Sequence, residues 1–388
     1  MIINYKKFNF KALAKNRIVI AMSILYFSIF LGFLYDIEPK GVLNDLEKKL
    51  SFLILPVAVC LIKINKQDLR KILALFFFSG FFFTSIAFCI SLYNLLNTGD
   101  FNSITNHNFS GSIKFHATYL SMYLLFSMSY PILYLRYMNS LVKKKIVLFL
   151  WGSIIVYIIL LSVRVIWLLL LVILITQVIK VFRKNKTYLV LSIFGMLFFS
   201  AAIIYTVTPL KERFKEVINY NDEYNVSGVW KYNVKEVWGG RGMRLLIWQS
   251  CTDLIKEKPI SGYGSSSEVQ KQLNNVYLQK NIGPLLFLMN NRGKKFNPHN
   301  QYFEEVLKFG VLMGAVFLFI LLFFKVAFYK NKQEAGIIFL IIIIVVSLTE
   351  TILELNKGIV FFSFFFAVLY SYLETYKDQK LNMLKHIK

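Results

Sequence analysis

The sequence predicts an all-α, polytopic membrane protein, and three observations carry that prediction. Apolar runs of about 20 residues recur along the chain, long enough for a helix to cross the hydrocarbon of a bilayer; of its 388 residues, 56% are hydrophobic. Lysines and arginines gather in short clusters at the ends of these runs, the pattern that orients spans. One polar stretch, residues 209–301, interrupts them. The formal net charge of +24 is divided among span ends instead of forming one basic face. Membrane lipids are therefore expected as partners and nucleic acid is not.

The spans follow in order. Lys6, Lys7, Lys11, Lys15 and Arg17 precede the apolar run 18–35. No small-residue cleavage pattern follows it, so it reads as an uncleaved first span with its basic start in the cytoplasm. The run 50–62 is short and contains Pro56. Lys63, Lys66, Arg70 and Lys71 come next and belong inside, which places 36–49 outside. Residues 72–96 form the third span, 97–114 an outside loop with His107, and 115–135 the fourth span, opening with His116. The run 146–179 has 34 residues and one charge, Arg164. As one helix it would measure about 51 Å against roughly 30 Å of hydrocarbon. Basic clusters flank it on both sides, so it must cross twice, turning near Ser162-Val163-Arg164 with arms of about 16 residues. Runs 188–208, 302–324, 335–355 and 358–373 complete about ten spans. The chain thus divides into an N-terminal block, 1–208, of about seven spans, a polar loop, 209–301, and a C-terminal block, 302–388, of about three spans and a tail. Both termini are expected inside.

The loop carries Trp230, Trp238, Trp248 and several tyrosines, too many aromatics for a solvated linker. A short helix is expected over 211–218 and a flexible turn over 239–242. An amphipathic helix is expected over 243–256, with Ile247, Cys251, Leu254 and Ile255 at helical spacing. Pro259 and Gly262-Tyr263-Gly264 end it. Ser265 and Glu268 have capping-box spacing and open a helix toward Leu278. Asn297-Pro298 fits a cap followed by proline in the first turn of the eighth span. Cys60 and Cys89 fall in apolar runs and Cys251 in the loop, so no intrachain disulfide is expected. No Cys/His group has metal-ligand spacing, and neither a metal nor a cofactor is expected.

Four basic groups stand out. Arg164 is an arginine at membrane depth, suited to phosphate oxygens or else snorkelling to headgroups. Arg244 and Arg241 open the loop helix. A cation there opposes the helix dipole by a few tenths of a kcal/mol, which a bound phosphate would offset; a solvated basic residue is the plainer alternative. His299, at the start of a span, suits proton acceptance from a hydroxyl, or simple capping. Glu304 and Glu305 lie one turn further in, where a carboxylate needs a partner, and one of them could orient His299 or an arginine. His116 is a weaker candidate on the same side. Cationic groups gathered at one membrane face suit a pyrophosphate leaving group, whose developing charge they would stabilise.

Arg244-Leu245-Leu246-Ile247-Trp248, then Pro259-Ile260-Ser261-Gly262-Tyr263-Gly264, then His299-Asn300-Gln301-Tyr302-Phe303-Glu304, with Gly310 and Gly314 downstream, resemble the signature of the O-antigen ligase and polymerase superfamily. Leu161-Ser162-Val163-Arg164 resembles the family's Ser-Arg element, with an extra valine between the two residues. Leu50-Ser51 to Pro56 and His116 to Ser121 resemble weaker family elements. The resemblance implies a GT-C-like, metal-independent, inverting glycosyltransferase of the inner membrane that uses an undecaprenyl-pyrophosphate-linked glycan at the periplasmic face. Arg164 and Arg244 would bind and neutralise the pyrophosphate, with Arg241 accessory, and His299 would activate or position the acceptor. A ligase, with a lipid A–core sugar hydroxyl as acceptor, is the first expectation, because one dominant loop fits that member. A polymerase joining carrier-linked repeat units and a protein O-oligosaccharyltransferase are the alternatives. A transporter is disfavoured, since mid-span charge is sparse and no paired broken helices appear.

Overall fold

The computed structural model describes residues 15–35, 39–206, 211, 240–293 and 295–387. Among these, every regular element is a helix. The expected helix 211–218 beyond its first residue, with Trp230, Trp238 and Gly239, lies outside the described residues.

Six described helices are long and apolar enough to cross a membrane: Arg17–Tyr35, Lys66–Thr98, Leu141–Leu161, Arg164–Phe182, Gln301–Lys330 and Asn356–Gln379. The other four expected spans take different forms. The run 50–62 is the ten-residue helix Ser51–Cys60, with Pro56 inside it. The run 115–135 is divided into Ala117–Ser127 and Ser129–Tyr134, and 188–208 is the helix Lys186–Thr206. The run 335–355 is helical only over Glu334–Val346, about 20 Å at 1.5 Å per residue. Beyond it the chain turns at Ser347 to Thr349 and forms the 3-10 turn Ile352–Glu354. The chain forms two compact units, one of Met1–Leu69 with Glu223–Lys388, the other of Arg70–Asp222.

In the Arg70–Asp222 unit the run 146–179 is broken. Leu141–Leu161 ends at Ser162, whose φ of +48° is left-handed, and Arg164–Phe182 begins two residues later. Trp167 Nε1 donates to the Ile158 carbonyl at 3.1 Å, clasping the two helices across the turn. The arms are 21 and 19 residues because the helices continue past the apolar run into its basic flanks, Lys143 to Lys145 and Lys180. Tyr157 anchors this unit: its hydroxyl is 3.0 Å from Ser85 Oγ, and its ring meets Phe81, Phe88 and Phe109.

In the other unit Asn356–Ile387 packs on Ser51–Cys60, which also receives Arg17–Phe27. The polar loop builds its own core. Leu246, Ile247, Cys251 and Leu254 of the helix Gly240–Glu257 are buried against Leu273 and Tyr277 of Ser266–Gln279, and Leu307 of Gln301–Lys330. That buried stripe corrects one expectation. Gly240 to Gly242 form the first helical turn, not a flexible turn, because tertiary packing of the helix outweighs the propensity cost of glycine.

Gln301–Lys330 is itself broken at Gly310, where φ is +80° and ψ 172°. The break leaves carbonyls without helical partners, and the Pro259–Gly264 turn supplies them. Tyr263 N–H donates to the Leu307 carbonyl, Gly264 N–H to that of Lys308, and Val311 N–H to that of Pro259, each at 2.8 Å. Two family-like motifs are thus a backbone lock between loop and helix. A Cβ on Gly310 would fall 1.9 Å from the Ile260 carbonyl oxygen. Gly310→Ala is therefore expected to open the lock, with on the order of 1–3 kcal/mol of backbone strain before the clash is counted. A lowered unfolding midpoint in detergent checks this.

Candidate active site

Arg244 and His299 meet on one carboxylate. Arg244 Nη2 lies 3.2 Å from Glu350 Oε1, and His299 Nδ1 lies 3.4 Å from Glu350 Oε2. Glu350 is 15% exposed and His299 34%, so the group is sheltered but open on one side. A carboxylate only accepts. The proton of a neutral His299 therefore belongs on Nδ1, and Nε2 is left as a base.

Local sequence builds this geometry. Arg244 and Trp248 are four residues apart on one helical face. Trp248 Nε1 donates to the Pro298 carbonyl at 2.9 Å, tying the arginine helix to the turn that presents His299. In that turn Asn297 Oδ1 accepts from His299 N–H at 3.1 Å, and His299 sits at φ +45°, a left-handed conformation uncommon outside glycine. The helix cap is Asn300, not Asn297. Its side chain accepts from the N–H groups of Tyr302 and Phe303. Since both free amides of the first turn point at Asn300, the helix starts at Gln301, and His299 stands in the turn before it.

The turn is stitched to the segment that carries Glu350. Asn297 Nδ2 donates to Thr351 Oγ1 at 3.0 Å and Asn300 Nδ2 to the Leu348 carbonyl at 3.2 Å. Gln301 N–H donates to the Ser347 carbonyl, and Leu353 N–H to Gln301 Oε1, each at 2.8 Å. The carbonyls of Ser347 and Leu348, the Thr351 hydroxyl and the Leu353 N–H, at and beyond the end of the helix Glu334–Val346, thus bond to the histidine turn.

Behind this pair lies a buried ionic cluster. Lys308 is fully buried, with Nζ 2.9 Å from Asp45 Oδ2 and 3.3 Å from Glu354 Oε1. Lys49 Nζ is 2.8 Å from Glu354 Oε1 and 3.9 Å from Glu305 Oε1. The Ser266 hydroxyl accepts from Lys308 at 2.9 Å and sits 2.5 Å from Glu354 Oε2. Burial alone would raise the Asp45 carboxyl, but the Lys308 and Lys49 ammonium groups outweigh it and hold it well below the ordinary carboxylate range. Against the same desolvation, the same two lysines lower Glu354. Glu304 is buried within electrostatic range of Lys308, Lys49 and Glu354. The carboxylate that faces His299 and Arg244 is Glu350.

The remaining candidates stand as follows. Arg244 is the fifth residue of its helix, one turn further in than expected, so the free first-turn amides belong to Gly240, Arg241 and Gly242. The Arg241 side chain is outside the described residues. Arg164 and His116 belong to the Arg70–Asp222 unit. Arg164 is half-buried and is the first residue of its helix, with no side-chain cap at Val163. His116 caps Ala117–Ser127, its Nδ1 accepting from Thr118 N–H at 3.3 Å, and its ring lies 4.6 Å from that of His107. Among the described residues no group of three or more His, Cys, Asp or Glu is placed to hold a metal.

The sequence reading missed Glu350. Its signal was present: two carboxylates, Glu350 and Glu354, stand in the nominally apolar run 335–355, where an acidic side chain demands a partner.

Fold and site together describe a polytopic membrane protein in which an arginine and a histidine share one carboxylate. Residues 147–318 match the family model described as O-Antigen ligase, and over that stretch the chain is similar to a family of lipid-linked glycan transferases. No curated protein matches the chain.

Proposed function

We propose that this protein is an O-antigen ligase, transferring polysaccharide from undecaprenyl pyrophosphate to a sugar hydroxyl of lipid A–core. It lies in the inner membrane with both termini cytoplasmic and acts at the periplasmic face. The observation that carries the reading is Glu350 held between Arg244 and His299. By accepting from Nδ1–H, Glu350 leaves His299 Nε2 to take the proton of the acceptor hydroxyl. The hydroxyl oxygen attacks the anomeric carbon, the bond to the pyrophosphate breaks, and the anomeric configuration inverts. Arg244 neutralises the charge that develops on the departing phosphate. Arg164 keeps the phosphate-binding role that its motif implies, to be tested separately by Arg164→Ala.

The deciding experiment supplies purified carrier-linked glycan with defined acceptors. Transfer to lipid A–core supports the ligase. Extension of carrier-linked repeat units would replace it with a polymerase, and transfer to a protein hydroxyl with an oligosaccharyltransferase. Because arginine supplies the charge neutralisation, activity is expected to survive a chelator; a strict requirement for a divalent ion would count against this mechanism.

A further inference from the structure

The Gly310 lock also sets a height. The first two turns of Gln301–Lys330 bury the polar side chains of Gln301, Glu304, Glu305 and Lys308, and from Phe309 the helix is apolar as far as Phe324. On that run Leu312 is 73% exposed, as a lipid-facing residue of a candidate span should be. The bond from Val311 N–H to the Pro259 carbonyl holds the loop's Pro259–Gly264 turn at this level. Its tip, Ile260, is 85% exposed, more than any other large apolar side chain described. Lys256 and Lys258 flank it, both exposed, and the Lys258 ammonium lies 4.8 Å from the Tyr263 ring centroid. An exposed aliphatic tip between lysines, beside the start of an apolar run, is the composition of an interfacial anchor.

We propose that this turn is inserted in the bilayer interface. Ile260 enters the acyl-chain edge, continuous with Leu312, while Lys256 and Lys258 meet lipid phosphates. The occupant is bulk lipid, not the donor's prenyl chain. The turn follows directly from Gly240–Glu257, so the anchor fixes the depth of the helix that carries Arg244. The inference rests on Gln301–Lys330 being a span and is independent of the ligase reading.

The test places a nitroxide at Ile260→Cys, with Leu312→Cys and Thr252→Cys as comparators, in a chain whose Cys60, Cys89 and Cys251 are alanine. The protein is reconstituted without donor in phosphatidylethanolamine–phosphatidylglycerol vesicles. Accessibility to oxygen and to a water-soluble nickel chelate is read by power saturation. Position 260 is expected to match 312, with an oxygen-to-nickel ratio several-fold above that at 252, an exposed site on the loop helix. A label at 260 as nickel-accessible as one at 252, or shielded from both reagents by protein, overturns the proposal. If the cysteine-free chain fails to fold, a photo-crosslinking phenylalanine at 260 in the native background replaces it. Phospholipid adducts are then expected, and adducts to protein alone overturn the anchor.

Discussion

Arg244→Ala and His299→Ala are each expected to abolish measurable transfer while leaving the protein folded in the membrane. Loss of one preorganised charge donor lowers a rate by about 10²–10³-fold, and loss of a general base by about 10²–10⁴-fold. The arrangement adds a sharper expectation for Glu350→Gln. Glutamine keeps the shape and a hydrogen bond to His299, but it removes the charge that faces both partners. It can also donate to Nδ1, which would put the imidazole proton on Nε2 and disable the base. A loss of about 10²–10⁴-fold in kcat is expected, with Glu350→Asp recovering part of it. Because the loss in Glu350→Gln runs chiefly through the His299 tautomer, Glu350→Gln combined with His299→Ala should be little worse than His299→Ala alone. The readout is kcat/KM for a carrier-linked donor, with unfolding midpoints run in parallel. Full activity in Arg244→Ala and His299→Ala would remove the site assignment, and full activity in Glu350→Gln would leave Glu350 a structural contact.

What could be read from the sequence follows from the kind of signal each feature leaves. The helical class, the break at Ser162-Val163-Arg164 and the loop helices after Met243 rest on local pattern: apolar length, basic flanks, helical spacing and the Ser265 cap. Arg244 and His299 also announce themselves locally, as polar residues at the edges of apolar or amphipathic segments. Glu350 and Lys308 show locally only as charges in need of partners, and those partners are distant in sequence. Glu350 matters because the segment just past the helix end bonds to Asn297, Asn300 and Gln301, a pairing across some fifty positions that no window contains. Lys308 looks like a span-edge lysine, yet it is fully buried because Asp45, Ser266 and Glu354, from three distant segments, converge on it. The Asn297 cap failed for a related reason: two asparagines compete, and only the geometry of the turn selects Asn300.

Lys308→Met should unfold much of what Arg244 and His299 depend on. The substitution keeps volume and removes one charge, leaving Asp45 without its 2.9 Å ammonium partner and Glu354 with Lys49 as its one cation and the Ser266 hydroxyl. Breaking a buried pair on one side costs about 3–5 kcal/mol, because the other charge stays buried and uncompensated. Removing both sides is far milder. Lys308→Met with Asp45→Leu is thus expected to recover much of the loss, although Ser266 N–H, which donates to Asp45 at 2.9 Å, would then lack its acceptor. Unfolding in detergent measures both; a single mutant as stable as the parent would show that the cluster contributes nothing net. Acid gives an independent check. Asp45 and Glu354 are depressed in the folded protein, so their contribution is fully present above the ordinary carboxylate range and is lost as pH falls through their lowered values. The parent should therefore lose stability on acidification, and Lys308→Met should lose less, having forfeited that part already. Glu354 lies four residues after Glu350, at the end of the short 3-10 turn Ile352–Glu354. The double variant, refolded but with Glu354 held only by Lys49 and the Ser266 hydroxyl, is expected to regain stability more completely than kcat.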